Sequence, residues 1–306
     1  MGKRRSVVTT EEGGEMNTQN ARHEPRERSV QCASPSGLHR MAYTEWGDPA
    51  NPQVLVCVHG LSRNGHDFDD LSRAMAGSHR IVCPDIVGRG RSDWLRDPSG
   101  YGVPQHVADM MVLIARLDVE AVHWVGTSMG GLIGMVLASL PGTPVSRLLL
   151  NDVGPVVSAE SIRRIGEYIG RAPKFSGLDD AERYIRAVSA PFGALNDAQW
   201  RALTVSSVRP MADGGLEMIY DPAIADSFHR ATAGGVVDLW PMFDRVRCPT
   251  RVVRGELSDL LSTEVAQAMT ARGPHPDLVE VSGVGHAPMF MDEAQIAIAR
   301  EFFTAD

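Results

Sequence analysis

The chain has 306 residues, enough for one large α/β domain or a domain carrying a sizeable insertion. Its apolar fraction of 43% is that of an ordinary globular protein. A net charge of −8 and a pI of about 5.7 argue against a surface built for nucleic acid or an anionic membrane. No apolar run approaches the roughly 20 residues that a membrane-spanning helix needs. Four cysteines (Cys32, Cys57, Cys83 and Cys248) lack the close spacing of a zinc site, and their expected state is reduced and buried.

Residues 1–36 are polar, of mixed charge and without the apolar core of a secretory signal, so they read as a disordered tail. Met16 is a candidate start within it, and Lys3-Arg4-Arg5 reads as a solvated charge run. A cytoplasmic protein is expected. From Gly37 the segment GLHRMAYTEWG alternates like an outer strand or hairpin, and QVLVCVHG is the continuous apolar run of a strand buried on both faces. A helix near Phe68–Met75, strand HRIVCPD and a helix near Val107–Leu117 follow, then strand VHWVGT, the helix from Leu132, and strand SRLLLND. This βα alternation predicts a mostly parallel sheet with helices on both faces.

The rhythm stops at Gly154. Residues 155–242 look mostly helical, with amphipathic pieces such as SAESIRRIGEYIG and LDDAERYIRAVSA. Strand TRVVRG then restores the pattern, followed by helix STEVAQAM, strand DLVEVS and helix DEAQIAIAREFF. The expected organisation is a core of 37–154 and 243–306, with 155–242 inserted as a helical cap over the carboxyl edge of the sheet.

Gly126-Thr127-Ser128-Met129-Gly130 stands where a buried strand becomes a helix. Such a corner forces the serine into a sparsely populated backbone conformation, and glycines two positions away avoid the resulting crowding. The pattern holds a nucleophile up and exposed. By itself it is only moderately specific, so a base, an acid and an oxyanion hole must come from the other loops at the carboxyl ends of the strands. Of ten histidines, His286 alone lies in a glycine-flanked loop, GVGHAP, between the last strand and the last helix, and it is the expected base. Asp259, in the loop after TRVVRG, is the first choice as the acid that orients the imidazole, and Asp152 at the end of SRLLLND is the second. For Asp85, Asp93 and Glu256 a role in loop structure is expected. The backbone N–H groups of Met129 and Leu61 are the expected oxyanion donors, with His59 and Gly60 shaping the loop. No metal-binding motif or phosphate-cradling glycine loop is present in the sequence.

Together His59-Gly60, DIVGRGRSD (Asp85, Gly88, Gly90, Ser92), GTSMGG, RGELSDLL and GVGHAP resemble the α/β-hydrolase superfamily over about Gly37 to Phe303, in its order Ser…Asp…His. The resemblance implies an eight-stranded, mostly parallel sheet with an antiparallel first hairpin, a helical cap and no cofactor. Within the superfamily the chain is similar to bacterial intracellular carboxylesterases, including some that act on hydroxyacid oligoesters. The implied activity is a serine carboxylesterase on a small-molecule ester with a small to medium acyl group. The alternatives on the same triad are a C–C hydrolase of keto-dienoic acids, helped by Arg63 and Asn64, or a lactonase, thioesterase or perhydrolase. A binding protein of this fold would show a broken triad, and none of its parts is missing here. The sequence leaves the oligomeric state open.

Overall fold

A computed structural model describes residues 24–305. Met16 and the Lys3-Arg4-Arg5 cluster lie outside the described residues. The central sheet has eight strands, labelled here in chain order: β1 (Arg26–Ser34), β2 (Gly37–Trp46), β3 (Val54–Val58), β4 (Arg80–Pro84), β5 (Val122–Thr127), β6 (Val145–Asn151), β7 (Thr250–Gly255) and β8 (Asp277–Val281). Their order across the sheet is β1-β2-β4-β3-β5-β6-β7-β8. From β4 to β8 every pairing is parallel, while β1 pairs β2, and β2 pairs β4, antiparallel.

The helices follow from the pattern between strands. They are α1 (Asp69–Met75), α2 (Val103–Leu117), α3 (Met129–Ala138), α4 (Ala159–Tyr168), α5 (Leu178–Val188), α6 (Asp197–Ser207), α7 (Ile224–Ala231), α8 (Trp240–Phe243), α9 (Thr263–Thr270) and α10 (Glu293–Thr304). Strand β3 is VLVCV with every residue buried, because helices cover both sheet faces: Val54, Val56 and Val58 join the core beside α2 and α3, and Leu55 and Cys57 join that beside α1 and α10.

Residues 26–34 belong to the sheet, which corrects their assignment to the tail. In β1 only Val30 and Cys32 turn fully inward, while Glu27, Arg28, Ser29 and Gln31 are exposed, so the segment reads as polar. A solvated edge strand needs no more apolar character than that, and β2 fixes its register from Arg26↔Glu45 to Ser34↔Gly37.

Between β6 and β7 the chain forms α4 to α8, as the amphipathic pattern predicts, together with short strands that the sequence did not signal. Lys174–Phe175, Leu216–Met218 and Val208–Pro210 make a three-stranded sheet, and Val156–Val157 pairs with Val237–Asp238. Pairs of two or three residues carry too little periodicity to be seen. Among the described residues no helix is long and apolar enough to cross a membrane.

Helix α3 packs its backbone against the sheet. A Cβ on Gly130 would overlap the carbonyl of Val58, while Trp124 Nε1 donates to Gly130 O at 3.0 Å. Gly130→Ala is therefore expected to destabilise the fold by about 1–3 kcal/mol despite alanine's better helix propensity, since a carbonyl in a central strand cannot step aside. A lowered urea midpoint checks this; an unchanged or raised midpoint would contradict the close approach.

Candidate active site

Ser128 stands between β5 and α3 with φ 52° and ψ −115°, in the left-handed region that L side chains rarely adopt. Its N–H is fixed on Asn151 O at 3.0 Å, and a side chain on Gly126 would overlap the Gly130 carbonyl. This strained corner, foreseen from the glycine spacing, turns the hydroxyl toward the loop that follows β8.

There His286 meets it. Nε2 of His286 lies 3.0 Å from Ser128 Oγ, and Nδ1 lies 2.7 Å from Asp152 Oδ2. With a carboxylate as acceptor at Nδ1, that nitrogen carries the proton, and Nε2 is left to accept from the serine hydroxyl. The structure brings Ser128 and His286 together as expected.

It does not bring Asp259 to them. Asp259 is half exposed and pairs with Arg164 of α4 at 2.9 Å, while its backbone carbonyl accepts from Ser161 Oγ at 2.8 Å. The carboxylate on His286 is Asp152, fully buried at the end of β6 with φ 52°. Strands β6 and β7 are parallel neighbours, joined by pairs such as Val253↔Asn151, so the loops after both reach the same imidazole. The β7 loop turns back through Ser258 N–H to Gly255 O, which puts Ser258 inward and Asp259 outward. That loop still serves the acid: Ser258 Oγ donates to Asp152 Oδ2 at 2.6 Å, and Gly255 N–H donates to Oδ1 at 2.9 Å. With His286 the buried carboxylate has three donors, as a charge removed from water requires.

Leu61 and Met129 border the same cavity as Ser128, and neither N–H has an acceptor among the described residues. Gly60 lies against the nucleophile, where a Cβ would meet Ser128 Cβ at 3.7 Å in ordinary contact. His59 is a strut, as the sequence implied. Its Nδ1–H donates to Gly60 O at 2.7 Å and its Nε2 accepts from Ile86 N–H at 2.9 Å. Burial drives its pKa down to about 3, so the ring is neutral and tied up at both nitrogens. Asp85 is structural too, accepting from the N–H groups of Gly65 and Arg91.

Arg63 and Asn64 do not face the nucleophile. Arg63 chelates Asp67 and donates to Ser207 Oγ at 2.7 Å, while Asn64 caps His66 N–H and donates to Ser206 O at 2.7 Å. The cation that does approach is Arg89, singled out by no sequence argument because DIVGRGRSD reads as a loop motif. It is buried, and it donates from Nε to Leu61 O and from Nη1 to Val87 O, each at 2.8 Å.

The cavity beside Ser128 has a volume of about 220 Å³ and walls such as Leu132, Val153, Val157, Ile165, Phe228 and Leu239. Of the bulky residues in 155–242 that could have lined an acyl pocket, Phe228 does so, whereas Phe175 and Trp200 fill a separate core with Leu203 and Ile185.

One group of possible metal ligands arises that spacing did not reveal. Cys32, His39 and Asp109, from β1, β2 and α2, hold their ligand atoms within 4.8 Å of one another. His39 Nε2 lies 3.0 Å from Asp109 Oδ2, and Gln105 Nε2 donates to Asp109 Oδ1 at 2.7 Å. Burial pushes the Cys32 thiol up to about 12, with the Asp109 charge adding to it. A thiol that holds its proton so firmly is a poor ligand, and the cluster fits a buried hydrogen-bonded tie between α2 and the first hairpin.

The model of the alpha/beta hydrolase family matches residues 55–300. A 3-hydroxybutyrate-oligomer hydrolase from Cupriavidus necator is 54% identical over 287 residues, covering 92% of this chain and 98% of the relative. Among solved structures, an alpha/beta hydrolase from Novosphingobium aromaticivorans superposes with a TM-score of 0.82 at 35% identity, covering 92% of this chain and 98% of its own. A putative hydrolase from Rickettsia typhi gives 0.84 at 31% identity, covering 90% and 98%. With its strand order, its strained serine and a family match spanning β3 to α10, the chain belongs to the alpha/beta hydrolase family.

Proposed function

We propose that the protein is a serine carboxylic-ester hydrolase whose substrates are short oligoesters of 3-hydroxyacids, with residues 155–242 serving as the cap over its site. The observation that carries this reading is the unbroken chain Ser128–His286–Asp152 opening on an apolar cavity of limited size. The substrate class rests on the 54% identity with the Cupriavidus hydrolase over nearly all of its length.

Each group has one task. Ser128 Oγ attacks the ester carbonyl while His286 Nε2 takes its proton, and Asp152 stabilises the imidazolium. The N–H groups of Leu61 and Met129 stabilise the negative oxygen of the tetrahedral intermediate. His286 returns the proton to the departing alkoxide, which leaves as the hydroxyl end of the next unit. Water activated by His286 then cleaves the acyl-enzyme by the same steps in reverse order. An apolar cavity of about 150 Å³ holds a benzene, so about 220 Å³ suits an acyl group of a few carbons better than a long chain. We place the enzyme in the cytoplasm, a reading in keeping with Cys32, Cys57, Cys83 and Cys248 as free thiols.

The C–C hydrolase alternative depended on Arg63 and Asn64, and both are engaged elsewhere. Turnover of p-nitrophenyl esters from acetate to dodecanoate, alongside 3-hydroxybutyrate dimer and trimer, tests the proposal. Rates should peak near butanoate or hexanoate and fall at least about tenfold by dodecanoate, with both oligomers cleaved. A folded protein that turns over no ester would overturn it.

A further inference from the structure

Arg89 is 1% exposed, yet among the described residues it forms no ion pair. A guanidinium has five N–H donors. Here one meets Leu61 O, one Val87 O and one the weak acceptor Met129 Sδ at 3.6 Å, and the rest have no acceptor. The negative group that answers it from a distance, Asp221, already accepts from Tyr101 Oη at 2.7 Å and from Ala223 N–H at 2.9 Å. Burial lowers the Arg89 pKa to about 10, which leaves the side chain charged at neutral pH. The Tyr101 ring, 5.7 Å from the guanidinium carbon, and the distant Asp221 offset only part of the charge, and a buried cation with no counter-ion in contact is costly unless something supplies one.

His106 of α2 borders the same cavity and is 2% exposed. Its ring has no hydrogen-bond partner among the described residues, and Nδ1 is wholly enclosed. Burial, with Arg89 nearby, holds its pKa well below the ordinary value; the neutral ring still has one N–H to give. No acidic side chain lines the cavity. Arg89 also touches Leu61 and Met129, the residues flanking the carbonyl under attack.

We propose that Arg89 and His106 form a carboxylate-binding corner, so that the enzyme grips an oligoester by its free carboxylate end and releases the carboxyl-terminal unit. In a 3-hydroxybutyrate oligomer only an oxygen, a carbinol carbon and a methylene separate the last ester carbonyl from that carboxylate. The corner and the oxyanion site are neighbours in the same order. This inference rests on the ester-hydrolase reading for its substrate, though not for the binding of a carboxylate.

The test compares the 3-hydroxybutyrate dimer with its methyl ester, the carboxylate capped, on the wild-type enzyme. The free acid should have a kcat/KM about 100-fold or more above that of the capped dimer. In Arg89→Met the ratio should fall to near one whatever happens to the overall rate, and in His106→Phe it should fall about tenfold. Equal kcat/KM for the two dimers in the wild type, or an unchanged ratio in Arg89→Met, overturns the inference. Because Arg89 also holds Leu61, its replacement could unfold the protein, and a second measurement needs no variant. Butanoate should inhibit p-nitrophenyl acetate hydrolysis at least about tenfold more tightly than butanamide; equal inhibition overturns the corner. If neither dimer is cleaved, the substrate reading fails, and the inhibition result still decides the corner by itself.

Discussion

Ser128→Ala should lower kcat for p-nitrophenyl butanoate by about four to six orders of magnitude, with KM little changed. The hydroxyl is the atom that forms the acyl-enzyme, and His286 Nε2 at 3.0 Å has no proton to take once it is gone. What survives is the contribution of the oxyanion donors and of substrate binding, which in such sites exceeds the uncatalysed rate by about 10³–10⁴-fold. The measurement must use protein free of wild-type contamination, since one molecule in 10,000 would mask a loss of this order. Residual turnover at a tenth of wild type would remove Ser128 from the role of nucleophile.

Replacing the acid separates two carboxylates that the sequence could not rank correctly. Asp152→Asn should lower kcat by about 10⁴-fold. The amide keeps the shape but can present an N–H to Nδ1, which turns the imidazole to the tautomer that cannot accept from serine. It also faces two other donors, Ser258 Oγ and Gly255 N–H, that are arranged for a carboxylate. Asp259→Asn should leave kcat within about threefold, because its loss touches a half-exposed pair with Arg164 and not the imidazole. A crippled Asp259→Asn beside an active Asp152→Asn would reverse the assignment. Circular dichroism and the urea midpoint of each variant keep a folding defect from passing as a catalytic one.

Much of the site was legible because its geometry is written in residues close in sequence. Gly126 and Gly130 bracket Ser128 within one turn of chain, and Gly283 and Gly285 mark the loop of His286 in the same local way. The sheet was legible for a related reason: VLVCV and the LLL at the centre of β6 are apolar and buried throughout because both faces are covered. The acid was not. Whether the loop after β6 or after β7 supplies it depends on how the β7 loop turns at Ser258, a three-dimensional matter decided by hydrogen bonds to Gly255 and Asp152. Arg89 was hidden because a charged residue in a glycine-rich loop is ordinarily exposed, and its burial comes from residues distant in sequence, Leu61, Met129 and Tyr220 among them. Strand β1 escaped because an edge strand with one wet face is polar by composition.

The loops that carry the chemistry are fastened to residues 155–242. Arg63 and Asn64, in the loop that carries Leu61, are bonded to Ser207 and Ser206. Gly285, beside His286, donates to Pro191 O at 2.7 Å, and Gly90 donates to Ile219 O at 2.9 Å. Residues 155–242 are thus less a door hung over a finished room than a keystone wedged among the stones it holds. Grafting the corresponding segment from a relative, a natural route to new substrates in principle, would here disturb turnover and selectivity together. Swaps that preserve these anchoring contacts are the ones that can change what the cavity accepts while leaving the rate of bond cleavage intact.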